Sequence, residues 1–352
     1  MLCKKKWRTA VSLLKNNLQT KYLMNTHTQT QHLPKDYATD PHLSSLVKEF
    51  LKPLNAGGPP LESLPVDAIR NVLVAAQSSV NADLSGISEA VKTIKQDGNA
   101  VEINIVKPEG KTDVTPVFMF IHGGGWVLGD YPTHIRMVRD LVVLTRYTGV
   151  FVNYSRSPEA KYPQALNEVY VVAKWLASNG TEIGVDGKKL AIAGNSAGGN
   201  LSTATTLMAK AKGGPEFKVQ LLMWPVTDAD FERSSYHKFG VDRFLTTSLM
   251  KWMWDQYADL SQRNEIYAAP IQATVDELKG LPPTLIQTAE NDILRNEGEA
   301  YGRKLGEAGV DVTTVRYNDV IHDFGLLNVL ATIPQTKAAF IHAAAYLKKY
   351  LG

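Results

Sequence analysis

Cysteine is almost absent from this 352-residue chain, which contains only Cys3. One cysteine cannot form an internal disulfide, a cysteine-based zinc site or an iron–sulfur cluster. No run of 18 apolar residues is present either, so we expect no membrane insertion. Hydrophobic residues make up 44% and charged residues 21% of the chain, which excludes a disordered or low-complexity protein as a description of the whole. We therefore expect a cytoplasmic, globular protein that folds without disulfides.

Acidic residues are missing from the first 35 residues, which contain seven lysines and arginines. This segment carries a charge of +7 and, since the whole chain carries +3, the remaining residues carry −4. Because the excess basic charge lies outside the folded body, it does not support nucleic-acid binding. We expect no nucleic-acid partner.

Residues 1–23 lack the continuous apolar stretch of a secretion signal, since the apolar run at 10–14 is short and interrupted by Ser12. We expect a basic extension that is disordered. One alternative is an amphipathic helix that makes weak contact with a membrane surface, because the apolar residues of the segment share one helical stripe. Another is that Met24 is the natural start of the protein.

Strands and helices alternate along most of the remaining chain. Runs of apolar, β-branched and aromatic residues predict the strands, and apolar residues at helical spacing predict the helices. The predicted strands cover 101–106, 117–121, 150–154, 190–193, 219–223, 284–288 and 312–315, and the predicted helices 66–80, 133–146, 163–178, 198–211, 297–308 and 334–350. Because this alternation requires crossover connections, the predicted fold class is α/β, with a mostly parallel central sheet flanked by helices.

The segment 226–280 interrupts the alternation and is rich in aromatic residues. Together with the residues before about 80, it is predicted to form a helical cap over the carboxyl ends of the strands. The predicted organisation is an extension at 1–23, an N-terminal cap portion at 24–80, a core at 81–225 and 281–352, and a cap insertion at 226–280.

Ser196 lies in the sequence Gly-Asn-Ser-Ala-Gly at 194–198, between a predicted strand and a predicted helix. A serine in a sharp strand-to-helix turn exposes its hydroxyl above the sheet, and the flanking glycines allow the backbone to approach neighbouring elements closely. This setting predicts a nucleophilic serine.

A second motif, His-Gly-Gly-Gly-Trp at 122–126, follows the predicted strand 117–121. Glycines permit unusual backbone angles, and backbone N–H groups can stabilise the negative oxygen that develops during acyl transfer. A phosphate-binding loop is the alternative, since Gly124 and Gly129 have its spacing. However, Asp130 stands where that loop requires lysine.

A serine nucleophile needs a base, and the base needs an acid that orients it. His322 follows the last predicted strand and Asp292 follows the strand 284–288, so both lie where a parallel sheet builds its site. We expect His322 to be the base and Asp292 the acid. The alternative acids are Glu290, Asp319 and Asp323.

These motifs resemble the hormone-sensitive-lipase-like carboxylesterases, the bacterial family IV esterases of the α/β-hydrolase superfamily. The resemblance covers about 100–345. It is carried by HGGGW at 122–126, GNSAGG at 194–199, Trp-Pro at 224–225 before Asp228, GLPPTLIQTAENDIL at 280–294 and IHDF around His322.

The resemblance implies an α/β-hydrolase fold with a cap domain, and a catalytic triad formed by Ser196, Asp292 and His322. It also implies an oxyanion hole, no metal or organic cofactor, and a homodimer. The implied oxyanion-hole residues are Gly123, Gly124, Gly125 and Ala197.

The sequence departs from the family pattern near all three members of the triad. The family usually has an acidic residue where this chain has Asn195, proline where it has Ile293 and glycine where it has Asp323. None of these departures removes a catalytic group. We expect them to change the pH optimum and the substrate preference.

Large apolar residues of the cap and of the strand ends are candidates for a substrate pocket, although ordinary core packing explains at least half of them. We therefore predict a serine carboxylesterase that hydrolyses short- to medium-chain acyl esters of small molecules through an acyl-enzyme. Alternatives are an acyltransferase, a deacetylase or a lactonase with the same triad, or a non-catalytic small-molecule binding protein. The favoured pocket candidates are Trp126, Trp224, Phe244, Met250 and Trp254, and the wider set also includes Trp252 and Met253.

Overall fold

An eight-stranded sheet organises the chain in the computed structural model, which describes residues 36–352. Its spatial order is β1-β2-β4-β3-β5-β6-β7-β8. The strand β2 is antiparallel to both of its neighbours, and all other pairs are parallel. The strands are β1 Ile87–Gln96, β2 Asn99–Pro108, β3 Thr115–Ile121, β4 Thr148–Asn153, β5 Val185–Asn195, β6 Val219–Met223, β7 Thr284–Asn291 and β8 Val312–Ile321.

Helices cover both faces of this sheet. The helices are α1 Ser45–Leu54, α2 Val66–Ser78, α3 Tyr131–Thr145, α4 Gln164–Asn179, α5 Ala197–Lys212, α6 Ser234–Phe239, α7 Thr247–Tyr257, α8 Val275–Leu278, α9 Arg295–Glu307 and α10 Pro334–Leu351. One face is covered by α3 and α10, which pack on each other, and the opposite face by α4 and α5. A hydrogen bond of 2.7 Å between the hydroxyls of Thr203 and Tyr301 ties α9 to α5.

The predicted α/β class and mostly parallel sheet are confirmed. The central strands are apolar along their whole length because helices bury both of their faces, as in Val117–Ile121, where every residue is buried. One strand, β1, was not predicted. It lies at the edge of the sheet and its side chains are largely exposed, with 60% of Val91 accessible, so its sequence carries little of the apolar signal.

The extension predicted for 1–23 and the first part of the cap portion predicted for 24–80 lie outside the described residues. The rest of that portion contains α1 and α2, and α1 was not predicted. Its sequence is amphipathic, and Val47, Phe50 and Leu51 form its buried face. Ser44 caps its N-terminus by accepting a hydrogen bond of 3.4 Å from the N–H of Val47.

A buried ion pair joins this N-terminal segment to the insertion at 226–280. The guanidinium Nη2 of Arg243 donates to Oδ2 of Asp40 over 2.9 Å, and the side chains are 2% and 8% exposed. Beside this pair, the rings of Phe50 and Phe244 meet edge to face with centroids 5.7 Å apart. The two chain segments thus pack as one unit although about 190 residues separate them.

The N-terminal segment also contacts the carboxyl-terminal ends of the last two strands of the sheet. The side-chain amide of Asn291 donates to the carbonyl oxygen of His42 over 2.6 Å, and the backbone N–H of Ser44 donates to the carbonyl oxygen of Asp319 over 3.0 Å. Within residues 36–352, no helix is long and apolar enough to cross a membrane.

Candidate active site

Ser196 occupies a strained turn between β5 and α5, with φ 53° and ψ −121°. Non-glycine residues seldom adopt a positive φ, and such strain persists where the surrounding structure enforces it. The backbone N–H of Ser196 donates to the carbonyl oxygen of Met223 over 2.9 Å. A methyl group on Gly198 would collide with the carbonyl oxygen of Ile121, so glycine is required for β3 and α5 to approach this closely.

The side chains of Ser196, His322 and Asp292 form one hydrogen-bonded chain. Oγ of Ser196 lies 3.0 Å from Nε2 of His322, and Nδ1 of His322 lies 2.8 Å from Oδ2 of Asp292. A neutral ring protonated on Nδ1 therefore donates to the carboxylate and accepts from the serine hydroxyl. The other oxygen of Asp292 accepts from the N–H of Leu294 over 2.9 Å, which fixes the carboxylate. All three side chains are buried.

Two effects act in opposite directions on the pKa of His322. Burial of the ring disfavours its protonation, but the negative charges of Asp292 and Asp323 outweigh this effect and raise the pKa of His322 above its ordinary value. A base with a raised pKa holds a proton more firmly once it has taken it from a hydroxyl.

The glycine loop that follows β3 faces the serine. Gly124 has φ +102° and Gly125 has φ +59°, conformations that glycine adopts without strain. Both residues line a cavity together with Ser196 and His322. The N–H of Gly123, in contrast, donates over 2.9 Å to the side-chain oxygen of Asn195, so this group holds the loop against the serine turn.

His122, the first residue of the same motif, packs beneath the glycine loop on the side of the sheet and hydrogen-bonds to it. Its Nδ1 lies 2.8 Å from the carbonyl oxygen of Gly123, and its ring stacks on Tyr154 with centroids 4.1 Å apart. The Tyr154 hydroxyl donates to the carbonyl oxygen of His122 over 2.9 Å. Complete burial lowers the pKa of His122 to about 4, so the ring is neutral at pH 7 and packs as an aromatic group.

The cavity above Ser196 is small and apolar, with a volume of about 60 Å³. Helix α2 supplies one wall through Ile69, Val72, Leu73 and Ala76, the four residues whose spacing predicted a helix at 66–80. A second cavity of about 370 Å³ shares several lining residues with the first. The first is called the inner cavity, and the second the outer cavity. The shared residues are Leu54, Leu61, Val72, Phe244 and Leu249.

Of the five predicted pocket residues, the structure places Phe244 at both cavities. The other four are packed in the core. Trp126 stacks on Tyr257 with centroids 4.1 Å apart and also touches Trp254. Met250 is 1% exposed, and Trp224 packs against the ring of Phe324. Large aromatic residues were favoured as pocket candidates, but such residues bury the most surface and are therefore frequently part of the core.

Met253 lines the inner cavity in their place, and a methyl group on Gly125 would collide with its sulfur. Leu249 lies one turn earlier on the same face of α7. Leu249 was not among the candidates, and its helical spacing from Met253 in the insertion is the signal that could have identified it.

The alternative acids occupy other positions. A carboxylate oxygen of Glu290 accepts from the backbone N–H of Asp319 over 2.9 Å and another lies 3.3 Å from Nδ1 of His42. Oδ2 of Asp323 lies 3.7 Å from Nε2 of His322, on the side of the ring that faces the serine. In the described part of the chain, no cluster of three or more histidine, cysteine, aspartate or glutamate side chains could bind a metal ion.

Comparisons with known proteins agree with this geometry. A family described as having the alpha/beta hydrolase fold matches residues 118–326. The structure of a thermostable esterase from Pseudomonas putida ECU1011 is 51% identical and has a TM-score of 0.88, with 89% of this chain and 99% of that chain covered. An alpha/beta hydrolase of Acanthamoeba polyphaga mimivirus, R526, is 35% identical over 84% of this chain and 85% of its own. Carboxylesterase NlhH of Mycobacterium tuberculosis is 32% identical over 74% and 82%, respectively.

Proposed function

Because the chain belongs to the α/β-hydrolase family, we propose that it is a serine carboxylesterase in which Ser196 is the nucleophile. The fold and the enzyme class expected from the sequence, a carboxylic ester hydrolase, are confirmed by this family and by the esterases that resemble the chain. The proposal for the site rests on one observation: the hydrogen-bonded chain of Ser196, His322 and Asp292 ends at an apolar cavity.

In the proposed reaction, His322 takes the proton of the Ser196 hydroxyl as its oxygen attacks the ester carbonyl. Asp292 orients the ring and stabilises its positive charge. The N–H groups of Gly124, Gly125 and Ala197 stabilise the negative oxygen of the tetrahedral intermediate. His322 then gives its proton to the leaving alcohol, and an acyl-enzyme remains. Water attacks the acyl-enzyme in the same way, which releases the carboxylic acid and restores the serine.

We assign the acyl group to the inner cavity and the alcohol to the outer one. An inner cavity of about 60 Å³, lined by Met253 and Phe244 among others, fits a short acyl chain. The substrate class is therefore a small neutral ester with a short to medium acyl group, and turnover decreases as the acyl chain outgrows the cavity.

We further propose that 36–80 and 226–280 together act as the cap. Both segments supply residues that line the cavities, and the ion pair of Asp40 and Arg243 joins them. The homodimer, the cytoplasmic location and the weak membrane-surface contact of 1–23 remain predictions. Light scattering of the purified protein tests the first, and liposome sedimentation with and without residues 1–23 tests the last.

The proposal is tested by hydrolysis of p-nitrophenyl acetate, butyrate, octanoate and palmitate. We expect the two short esters to be turned over faster than the palmitate. The variant Ser196→Ala loses at least about 10³-fold in kcat/KM, since removal of a triad member has effects of that size or larger. A fluorophosphonate, which phosphonylates a nucleophilic serine with loss of fluoride, adds the mass of its phosphonyl group to the wild type and not to this variant.

Ser178→Ala is the matched control, because it removes an exposed hydroxyl at the end of α4 and should leave activity unchanged. Equal activity of Ser196→Ala and the wild type would overturn the nucleophile assignment. Inactivity of the wild type on all four esters, with no mass added by the probe, would favour a non-catalytic binding protein. Ester products that appear when an alcohol is added, in excess of the free acid, would identify an acyltransferase.

A further inference from the structure

A buried carboxylate that the reaction above does not use lies beside the proposed triad. Asp323 directly follows His322, is 5% exposed and has φ +57°. Its Oδ1 accepts two hydrogen bonds, from the indole N–H of Trp224 over 2.6 Å and from the side-chain amide of Asn195 over 3.0 Å. Its Oδ2 lies 3.7 Å from Nε2 of His322. Two fixed donors therefore stabilise a negative charge at this place.

The side chain of Asn195 connects Asp323 to the glycine loop by hydrogen bonds. Its amide nitrogen donates to Asp323, and its amide oxygen accepts the N–H of Gly123 over 2.9 Å. These two partners fix the orientation of the amide, because a backbone N–H requires an acceptor and a carboxylate requires a donor. Asparagine can satisfy both partners at once, whereas an aspartate at this position would set two carboxylates against each other.

Two departures from the family pattern are thus in direct contact, although they are 128 residues apart in the chain. The usual acidic residue before the nucleophile is replaced by Asn195, and the usual glycine after the histidine is replaced by Asp323. An acidic group therefore lies beside the serine turn in this chain, but it belongs to the residue that follows the histidine.

The contact with Gly123 is tight. A methyl group on Gly123 would lie 2.6 Å from the amide nitrogen of Asn195, so there is little room for the loop to shift on this side. The next two residues, Gly124 and Gly125, line the inner cavity. Any displacement of the Asn195 side chain would therefore be transmitted to the N–H groups proposed to stabilise the oxyanion.

We propose that Asp323 is a positioning residue, which fixes the glycine loop through Asn195 and stabilises the protonated ring of His322 with its second oxygen. This inference rests on the proposed function. In the reaction, the ring becomes positively charged when it takes the serine proton. It then lies between two carboxylates, Asp292 at Nδ1 and Asp323 near Nε2. These are the charged groups that raise the pKa of the ring.

The first test removes the charge and keeps the shape. In Asp323→Asn the side-chain oxygen can still accept from Trp224 and Asn195. We expect the acid limb of the pH profile of kcat/KM for p-nitrophenyl butyrate to move to lower pH by about half a unit or more. A purely structural residue would lower the rate at every pH and leave the limb in place. Asp276→Asn, an exposed carboxylate 84% accessible on α8, is the control and leaves both rate and limb unchanged.

The second test is a rescue. Asn195→Asp places two carboxylates in contact and is expected to lower kcat about tenfold or more, with a smaller change in KM. Adding Asp323→Gly removes the repulsion, and glycine suits the positive φ at this position. The double variant Asn195→Asp/Asp323→Gly is therefore expected to recover at least about threefold in kcat over the single variant.

An unmoved acid limb in Asp323→Asn would overturn the inference, and so would wild-type kcat in Asn195→Asp or a double variant no better than the single one. Ser196→Ala is measured beside them. If that variant keeps wild-type activity, the proposed function itself is wrong. If that variant is inactive and the limb does not move, only the role of Asp323 is wrong.

Discussion

The buried ion pair between Asp40 and Arg243 gives a prediction about stability. Asp40→Asn removes one charge and leaves the arginine charge inside the protein, where the side chain is 2% exposed. Removing one partner of a buried pair typically destabilises a protein by about 3–5 kcal/mol. With an unfolding entropy of about 2.1 cal/mol/K per residue, a chain of this length has a total of about 0.7 kcal/mol/K. The midpoint of thermal unfolding is therefore expected to fall by about 4–7 °C.

The measurement is circular dichroism during thermal unfolding, with Asp97→Asn as the matched control. Asp97 also forms a close ion pair, 2.7 Å from Nζ of Lys174, but the two side chains are 51% and 38% exposed. Exposed pairs contribute about 0–1 kcal/mol, so this variant is expected to shift the midpoint by less than about 2 °C. Equal shifts in the two variants would refute the argument that burial of the pair determines its contribution.

Three further predictions concern the site. Burial lowers the pKa of His122 to about 4, whereas its pKa in the unfolded chain is about 6.5, so this group contributes stability above pH 6.5 that is lost on acidification. Its protonation is expected to lower the free energy of unfolding by about 2 kcal/mol between pH 7 and pH 5. Urea unfolding of His122→Gln is therefore expected to depend less on pH than that of the wild type. Gly125→Ala directs a methyl group at the Met253 sulfur, so kcat is expected to fall about tenfold. The control is Gly309→Ala, which also places alanine at a positive φ but has no atom near the new methyl group, and it is expected to keep its activity. Equal losses in the two variants would exclude a collision as the cause. Met253→Ala enlarges the inner cavity, so the ratio of p-nitrophenyl octanoate to p-nitrophenyl butyrate turnover is expected to rise at least about threefold. An unchanged ratio would show that the acyl group binds elsewhere.

The sequence predicted those parts of the fold in which local pattern and burial agree. The central strands are buried on both faces, so their apolar runs are continuous and were found, whereas the edge strand β1 is largely exposed and was not. Helix α1 was missed for a different reason: it spans only ten residues, and the helical spacing of Val47, Phe50 and Leu51 is a weak signal over so short a stretch. The order of Ser196, Asp292 and His322 along the chain follows from the topology of the sheet, so the sequence could suggest the set before the distances were known.

The pocket was less predictable, because tertiary packing decides which apolar residues face it. Trp126 and Trp254 contact each other and not the cavity, while the wall comes from α2. The contact between Asn195 and Asp323 could not be predicted from the sequence either. Each was identified as a departure, but only the folded chain brings them within 3.0 Å of each other.

The contacts of His42 and Ser44 with the carboxyl-terminal ends of β7 and β8 have a consequence for the order in which these contacts form during synthesis. His42 and Ser44 leave the ribosome long before their partners Asn291 and Asp319, which are synthesised about 250 to 275 residues later. The N-terminal segment therefore cannot dock while the chain is still being extended through its middle. Since contacts between distant residues form late, closing of the cap over the serine belongs to the last stage of folding. A nascent chain is thus expected to carry its serine turn without a finished pocket, and so to gain activity only after release.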